Sequence, residues 1–163
     1  MRHAHEKIVS REKLRALVEA AKLRGASIVL ANGVFDTLHV GHTRYLTGAK
    51  SEGDLLVVAV NSDSSVRPIK GPNRPILDET ARALLVAALR DVDYVVIFPE
   101  PNVENLLEDL RPDVHAKGTD YSADSVPERA TAARLGIRVA IVGDPKKHST
   151  RSLIDTIRKA PHV

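Results

Sequence analysis

Residues 32–43 read Asn-Gly-Val-Phe-Asp-Thr-Leu-His-Val-Gly-His-Thr, and an apolar run, Ser27 to Ala31, leads into them. Ile28, Val29 and Leu30 are what a buried parallel strand wants. Gly33 follows, a place where backbone can bend or approach a ligand closely. Tyr45, Leu46 and Ala49 then recur at helical spacing. His39 and His42 therefore fall where a first strand hands over to a first helix. In an open α/β sheet that edge binds ligands. A helix N-terminus there offers N–H groups and a positive dipole end to phosphate.

A His-x-x-His pair can also be half a zinc site. His3, His5, His115, His148 and His162 are scattered, however, and cysteine is absent. No second set stands at metal-ligand spacing, so the position favours phosphate chemistry with no resident metal site.

At 163 residues the chain is most simply one domain with a real core. Aromatic residues make up only 3%, which argues against a stacking platform for single-stranded nucleic acid. The net charge of +3 comes without a dense basic run, which fits a phosphorylated substrate and gives no reason to invoke nucleic acid. Without cysteine there is neither disulfide nor thiol catalysis. No apolar run approaches the ~18 residues of a membrane span. The N-terminus, MRHAHEKIVS, lacks the apolar core of a signal peptide. A cytoplasmic protein, off the membrane, is the expectation.

Taken in order, residues 1–9 read as loose. A helix is expected from Ser10, with Leu14, Leu17, Val18 and Ala21 on one face and Gly25 at its end. After the opening stretch, its helix runs to about Ser51. Leu55 to Val60 is a second strand, apolar throughout and so covered on both faces. Residues 66–77, VRPIKGPNRPIL, hold three prolines and a glycine and read as a loop. Asp78 caps a helix through Arg90 that carries Leu84, Leu85, Ala88 and Leu89. Strands follow at Tyr94–Phe98, Val114–Ala116 and Ile137–Val142, with helices at Pro101–Leu110, Val126–Leu135 and Ser149–Lys159. This alternation predicts an α/β fold: a Rossmann-like, doubly wound, five-stranded parallel sheet with helices on both faces. Polar clusters after strands one, two, four and five fall at one sheet edge and can converge on one site.

The string GVFDTLHVGH resembles the G-x-F-D-x-x-H-x-G-H signature of the nucleotidylyltransferase superfamily, in the branch of cytidylyltransferases and heptose-phosphate adenylyltransferases. The resemblance covers residues 26–159, with an N-terminal tail and extra helix over 1–25 and the nucleotidylyltransferase domain over 26–163. It implies transfer of a nucleotidyl group from a nucleoside triphosphate, ATP before CTP, to a sugar phosphate. Heptose 1-phosphate is the favoured acceptor, and magnesium accompanies the triphosphate. Such products feed lipopolysaccharide and other surface glycans. A glycerol-3-phosphate-type cytidylyltransferase is the alternative within the class, with an FAD synthetase-like activity on FMN as a further option, and a non-catalytic nucleotide-binding module is the alternative outside it. Related enzymes are often dimers, so a homodimer or higher homo-oligomer is expected.

The chemistry needs no enzyme nucleophile, because the acceptor brings its own phosphate oxygen. It needs two anions held together and transition-state charge stabilised. The resemblance gives His39 and His42 the role of donors to phosphate oxygens, with Gly33, Val34, Phe35, Asp36 and Gly41 around the nucleotide. Arg67, Lys70 and Arg74 lie within the proline-rich segment, where KGPNRP resembles the K-G-x-x-R-P stretch of heptose-1-phosphate adenylyltransferases. Lys70 is taken as catalytic, and Arg67 and Arg74 as substrate-binding. Arg82 and Arg90 are helix candidates; LRDVDYV around Arg90 resembles the R-x-V-D-x-V segment of cytidylyltransferases, where the arginine helps bind phosphate. KGTDY, Lys117 to Tyr121, is similar to the family's K-G-G-D-Y and offers Lys117 to the substrate and Gly118 and Asp120 to the nucleotide. Ser149 and Thr150 begin the last helix, where the family carries S-T-T or S-S-T against the triphosphate; Arg151 stands in for the second threonine. Asp144 stands where cytidylyltransferases tend to carry an arginine, a charge reversal that weakens the CTP reading and leaves Lys146 or Lys147 to substitute.

Overall fold

The five apolar runs form the strands of one sheet in the computed structural model, which describes residues 3–144 and 150–159. In chain order the elements are α1 (Ala4–Lys7), α2 (Arg11–Lys22), β1 (Ile28–Gly33), α3 (Val40–Lys50), β2 (Leu55–Asn61), α4 (Asp63–Lys70) and α5 (Glu79–Ala87). There follow β3 (Tyr94–Phe98), α6 (Glu104–Leu110), β4 (Val114–Gly118), α7 (Arg129–Leu135), β5 (Arg138–Val142) and α8 (Thr150–Lys159). All strand pairs are parallel, in the order β3-β2-β1-β4-β5. The order reverses at β1, whose two neighbours are β2 and β4, so a crevice opens between β1 and β4 at their C-terminal ends.

Strand alternation splits the core in two. Ile28 and Leu30 of β1 face one layer, with Val57, Ala59, Tyr94 and Val96, under α2, α6 and α7. Val29 and Ala31 face the other, with Leu56, Val58, Val60 and Val95, under α3 and α5. Apart from Asn61 of β2 and His115 and Lys117 of β4, the buried strand residues are apolar, which is why these runs read as continuous and not alternating. Each buried Leu or Val side chain contributes about 1.5–3 kcal/mol. Helix α2 belongs to this core: Leu14, Val18 and Ala21 are buried on the sheet, and Ser10 caps the helix by accepting from the Lys13 N–H.

Four local readings are corrected. Residues 1–9 are not loose throughout. Ala4–Lys7 is helical, Ile8 bridges Val95, and the Val9 N–H donates to the Val95 carbonyl with Val9 itself buried. The proline-rich segment does not begin as loop. Helix α4 runs to Lys70 with Pro68 inside it, because Ser62 caps it at Ser65 N and Val66 anchors it in the core. A proline in a helix's last turn removes one donor and bends what is about to end anyway. Helix α5 stops at Ala87, and it buries Arg82, Ala83, Val86 and Ala87 while Leu84 and Leu85 stay exposed. Helices α6 and α7 start three residues later than expected, at Glu104 and Arg129.

Candidate active site

The turn after β1 is built by an unusual backbone. Phe35 has φ of +50°, a conformation that L-residues adopt rarely and that clusters at functional sites. Its ring folds back over Gly33, where an added Cβ would lie 3.1 Å from it. Any side chain at residue 33 would therefore push Phe35 away. The same ring meets His42 edge-on, with centroids 5.2 Å apart.

His39 is the N-cap of α3, and its Nδ1 accepts the Gly41 N–H at 3.2 Å. In the neutral ring the proton is then on Nε2, which makes that atom a donor. His42 lies one turn on, and the two imidazoles stack with centroids 3.9 Å apart and planes 23° apart. The pair sits at the first turn of α3, where the helix dipole favours negative charge.

These histidines line a cleft of about 950 Å³ at the C-terminal edge of the sheet. Gly33, Val34, Phe35, Asp36 and Gly41 line it from the β1–α3 turn. Lys70 and Arg74 come from α4 and the segment after it. Lys117, Gly118, Thr119, Asp120 and Tyr121 come from the end of β4. The expectation that polar clusters at the ends of four strands converge on one site is met, since Asn61 at the end of β2 and Gly143 and Asp144 after β5 line it too.

Several of these groups hold the site's walls together. Asp36 is 4% exposed; its Oδ1 accepts from Ile76 N at 2.6 Å and Leu77 N at 3.3 Å, and its Oδ2 faces the Arg74 guanidinium at 3.0 Å. The signature aspartate thus fastens the segment after α4, and Arg74 is its partner while also lining the cleft. Lys117 is buried, 3.3 Å from Glu128 Oε2 and 3.3 Å from Asn32 Oδ1, with its ammonium 4.8 Å from the Tyr121 ring centroid. His115, on the same strand, is fully buried and 3.2 Å from Asn32 Oδ1. Burial, with the Lys117 charge nearby, pushes the His115 pKa down to about 3, so it stays neutral.

Other candidates stand apart from the cleft. Arg67 is exposed on α4 and is not among the cleft-lining residues. Arg90 borders a separate shallow groove with Thr43, Leu46 and Thr47, and its exposed side chain lies 3.5 Å from Asp91. Arg82 is completely buried as a strut: its guanidinium donates to the Leu77 and Val34 carbonyls at 2.9 and 2.6 Å and to Asp63 at 2.7 Å. Lys146, Lys147, His148 and Ser149 lie outside the described residues, and Thr150 begins α8.

Some cleft groups escaped the sequence reading. Arg44 lines the cleft and pairs with Asp144 at 3.2 Å, so α3 brings a cation to the aspartate that reverses the cytidylyltransferase charge. Arg44 lies two residues past His42, a signal that adjacency to the motif could have supplied. Ile154, Asp155 and Arg158 of α8 also line the cleft. Only the folded chain brings α8 to the cleft, so spacing alone could not select them.

Comparison with known proteins places this geometry. The chain is 47% identical over 154 residues to the bifunctional protein HldE of Geobacter metallireducens, an alignment that covers 94% of this chain and 31% of that protein. It is 42% identical over 151 residues to the bifunctional protein HldE of Pseudomonas fluorescens SBW25, covering 93% of this chain and 32% of the relative. The chain therefore spans less than a third of the length of these curated relatives. The lipopolysaccharide core biosynthesis protein from Thermoplasma volcanium superposes with a TM-score of 0.66 at 33% identity, covering 75% of this chain and 100% of that one. Pantoate-beta-alanine ligase from Francisella tularensis, at 15% identity and a TM-score of 0.60 over 88% of this chain and 68% of its own, shares the fold. The profile described as cytidylyltransferase-like matches residues 30–158, from β1 through the stacked histidines to α8. With that match over most of its length, the chain belongs to the cytidylyltransferase-like family of nucleotidyltransferases.

Proposed function

We propose that this chain transfers the adenylyl group of ATP to a sugar 1-phosphate, with heptose 1-phosphate as acceptor and ADP-heptose and pyrophosphate as products. The observation that carries the reading is the stacked His39–His42 pair at the start of α3, on the edge where the strand order reverses. Two donors and a helix N-terminus meet there, and no nucleophile is needed. An oxygen of the acceptor phosphate attacks the α-phosphorus. A new P–O bond forms as the bond to the bridging oxygen breaks, and pyrophosphate leaves with that electron pair. Charge that builds on the phosphate oxygens is met by donors already in place, which costs no reorganisation at the moment of reaction. Among the described residues no group of three His, Cys, Asp or Glu could hold a metal ion. Magnesium belongs to the substrate and travels with the triphosphate.

The acceptor reading is supported by KGPNRP and KGTDY, whose Lys70 and Lys117 face the cleft together with Gly118. The identity to HldE proteins and to a lipopolysaccharide core biosynthesis protein supports a place in surface-glycan precursor synthesis. Pyrophosphate release tests the proposal, with ATP, CTP and GTP crossed against heptose 1-phosphate, glycerol 3-phosphate and FMN. Turnover of ATP with heptose 1-phosphate alone is the expected result. CTP turnover with glycerol 3-phosphate would replace the reading by a cytidylyltransferase. Nucleotide binding without turnover on any acceptor would leave a binding module.

A further inference from the structure

The floor of the cleft holds a polar side chain whose orientation is decided by its neighbours. Asn32, at the end of β1, places one terminal atom 3.3 Å from Lys117 Nζ and 3.2 Å from His115 Nε2. An ammonium has donors only, so the atom facing it is the carbonyl oxygen, Oδ1. The same oxygen faces His115 Nε2, so that nitrogen carries the proton. The neutral state of the buried ring agrees with this tautomer. With Oδ1 turned to the interior, the Asn32 NH2 group points the other way. It has no hydrogen-bond partner among the described residues, it is not among the buried atoms left without one, and Asn32 lines the cleft.

The charge around it says what it suits. Lys117 and Glu128 are both almost fully buried and pair at 3.3 Å, so this wall carries no net charge. The other cations of the cleft sit elsewhere: Lys70 at the end of α4, Arg74 beyond it against Asp36, Arg44 on α3 and Arg158 on α8. A phosphate dianion is drawn to those, whereas an oriented neutral amide in a charge-balanced wall suits a hydroxyl oxygen. We infer that Asn32 is a specificity determinant whose NH2 donates to a sugar hydroxyl in the crevice between β1 and β4, with His115 and Lys117 as the residues that hold its orientation. The inference rests on the sugar-phosphate reading above. The hydroxyl belongs to the acceptor sugar or to the ribose of the nucleotide, and substrates can tell these apart.

The experiment compares wild type with Asn32→Ala on a set of substrates that each lack one hydroxyl. These are monodeoxy forms of the acceptor sugar phosphate, 2′-deoxy-ATP and 3′-deoxy-ATP. For one of them the wild-type KM should rise about tenfold, the size expected from losing one such hydrogen bond. Asn32→Ala should raise KM for the parent substrate by a similar factor and no longer distinguish parent from that analogue. A purely structural role would change all substrates alike and could not remove one discrimination selectively. A deoxy-acceptor response places the hydroxyl on the acceptor, and a deoxy-ATP response places it on the ribose. A wild-type enzyme that treats every deoxy analogue as its parent overturns the assignment without any variant having to fold. So does an Asn32→Ala protein that discriminates as wild type does. If wild type transfers no nucleotide to any sugar phosphate, the functional reading fails, and the assignment fails with it.

Discussion

The Asp36 carboxylate and the Arg74 guanidinium lie 3.0 Å apart across the mouth of the cleft, tying the signature turn to the segment that follows Lys70. Asp36 also accepts the backbone N–H of Ile76 and Leu77, and Arg82 reaches from below to the carbonyls of Leu77 and Val34. The signature aspartate thus shapes the cleft by fixing a wall. Asp36→Asn keeps the shape but loses an acceptor and the charge facing Arg74. It should cost about 1–3 kcal/mol of stability and raise KM for the sugar phosphate more than it lowers kcat. Urea unfolding and steady-state kinetics check both. A variant as stable as wild type would show that the Asp36 contacts are not what holds the segment.

The stacked histidines should carry the rate. His39→Ala or His42→Ala is expected to lower kcat by about two to three orders of magnitude, as removal of a transition-state donor does. His39→Ala also deletes the side-chain cap of α3, worth about 1 kcal/mol. Its melting temperature should therefore fall slightly. Single-turnover pyrophosphate release with circular dichroism as a control measures both. Full turnover in either folded variant would remove the histidines from the mechanism.

Three lysines and arginines that looked alike in sequence separate by position. Lys70 faces the cleft, Arg67 is one exposed residue of α4 turned elsewhere, and Arg90 borders another groove. Lys70→Ala should raise KM for the sugar phosphate about tenfold or more, the scale of a charge-assisted contact. Arg67→Ala and Arg90→Ala should leave both Michaelis constants within about twofold and stability within about 0.5 kcal/mol, as surface substitutions do. Side-by-side kinetics of the three variants decide it. An Arg90→Ala protein with weakened ATP use would mean that its groove communicates with the cleft.

The strands were legible because each is a run such as LLVVAV that only a doubly covered parallel strand explains. The edge at which polar residues gather followed from that alone. Helix α4 was hidden because Pro68 and Gly71 are strong loop signals, whereas the Ser62 cap that starts it is a local contact that spacing does not weigh. The face of α5 was misread because ALLVAAL is apolar all round, so its period does not choose a side. Arg82 could not have been read as buried, since its acceptors Val34, Asp63 and Leu77 come from three separate segments. Likewise, the pairings of Asp36 with Arg74 and of Lys117 with Glu128 depend on where loops land after folding.

His115 makes stability depend on pH from about 7 down to about 5, above the ordinary carboxylate pKa values. Its pKa is about 3 in the folded protein, against an unfolded value of 6.5. Between those values the unfolded chain binds a proton that the folded chain refuses, so stability rises with pH. The contribution is complete above the unfolded pKa and is lost as pH falls toward the folded one. At about 1.4 kcal/mol per unit, moving from pH 7 to pH 5 should cost wild type about 2 kcal/mol through this residue. His115→Gln keeps an N–H that can reach the Asn32 carbonyl and has no titration. Its unfolding free energy should change less between pH 7 and pH 5 by that same amount, even if the variant is less stable at both. Urea unfolding of the two proteins at the two pH values makes the comparison. Parallel losses would show that the His115 ring takes up its proton inside the fold.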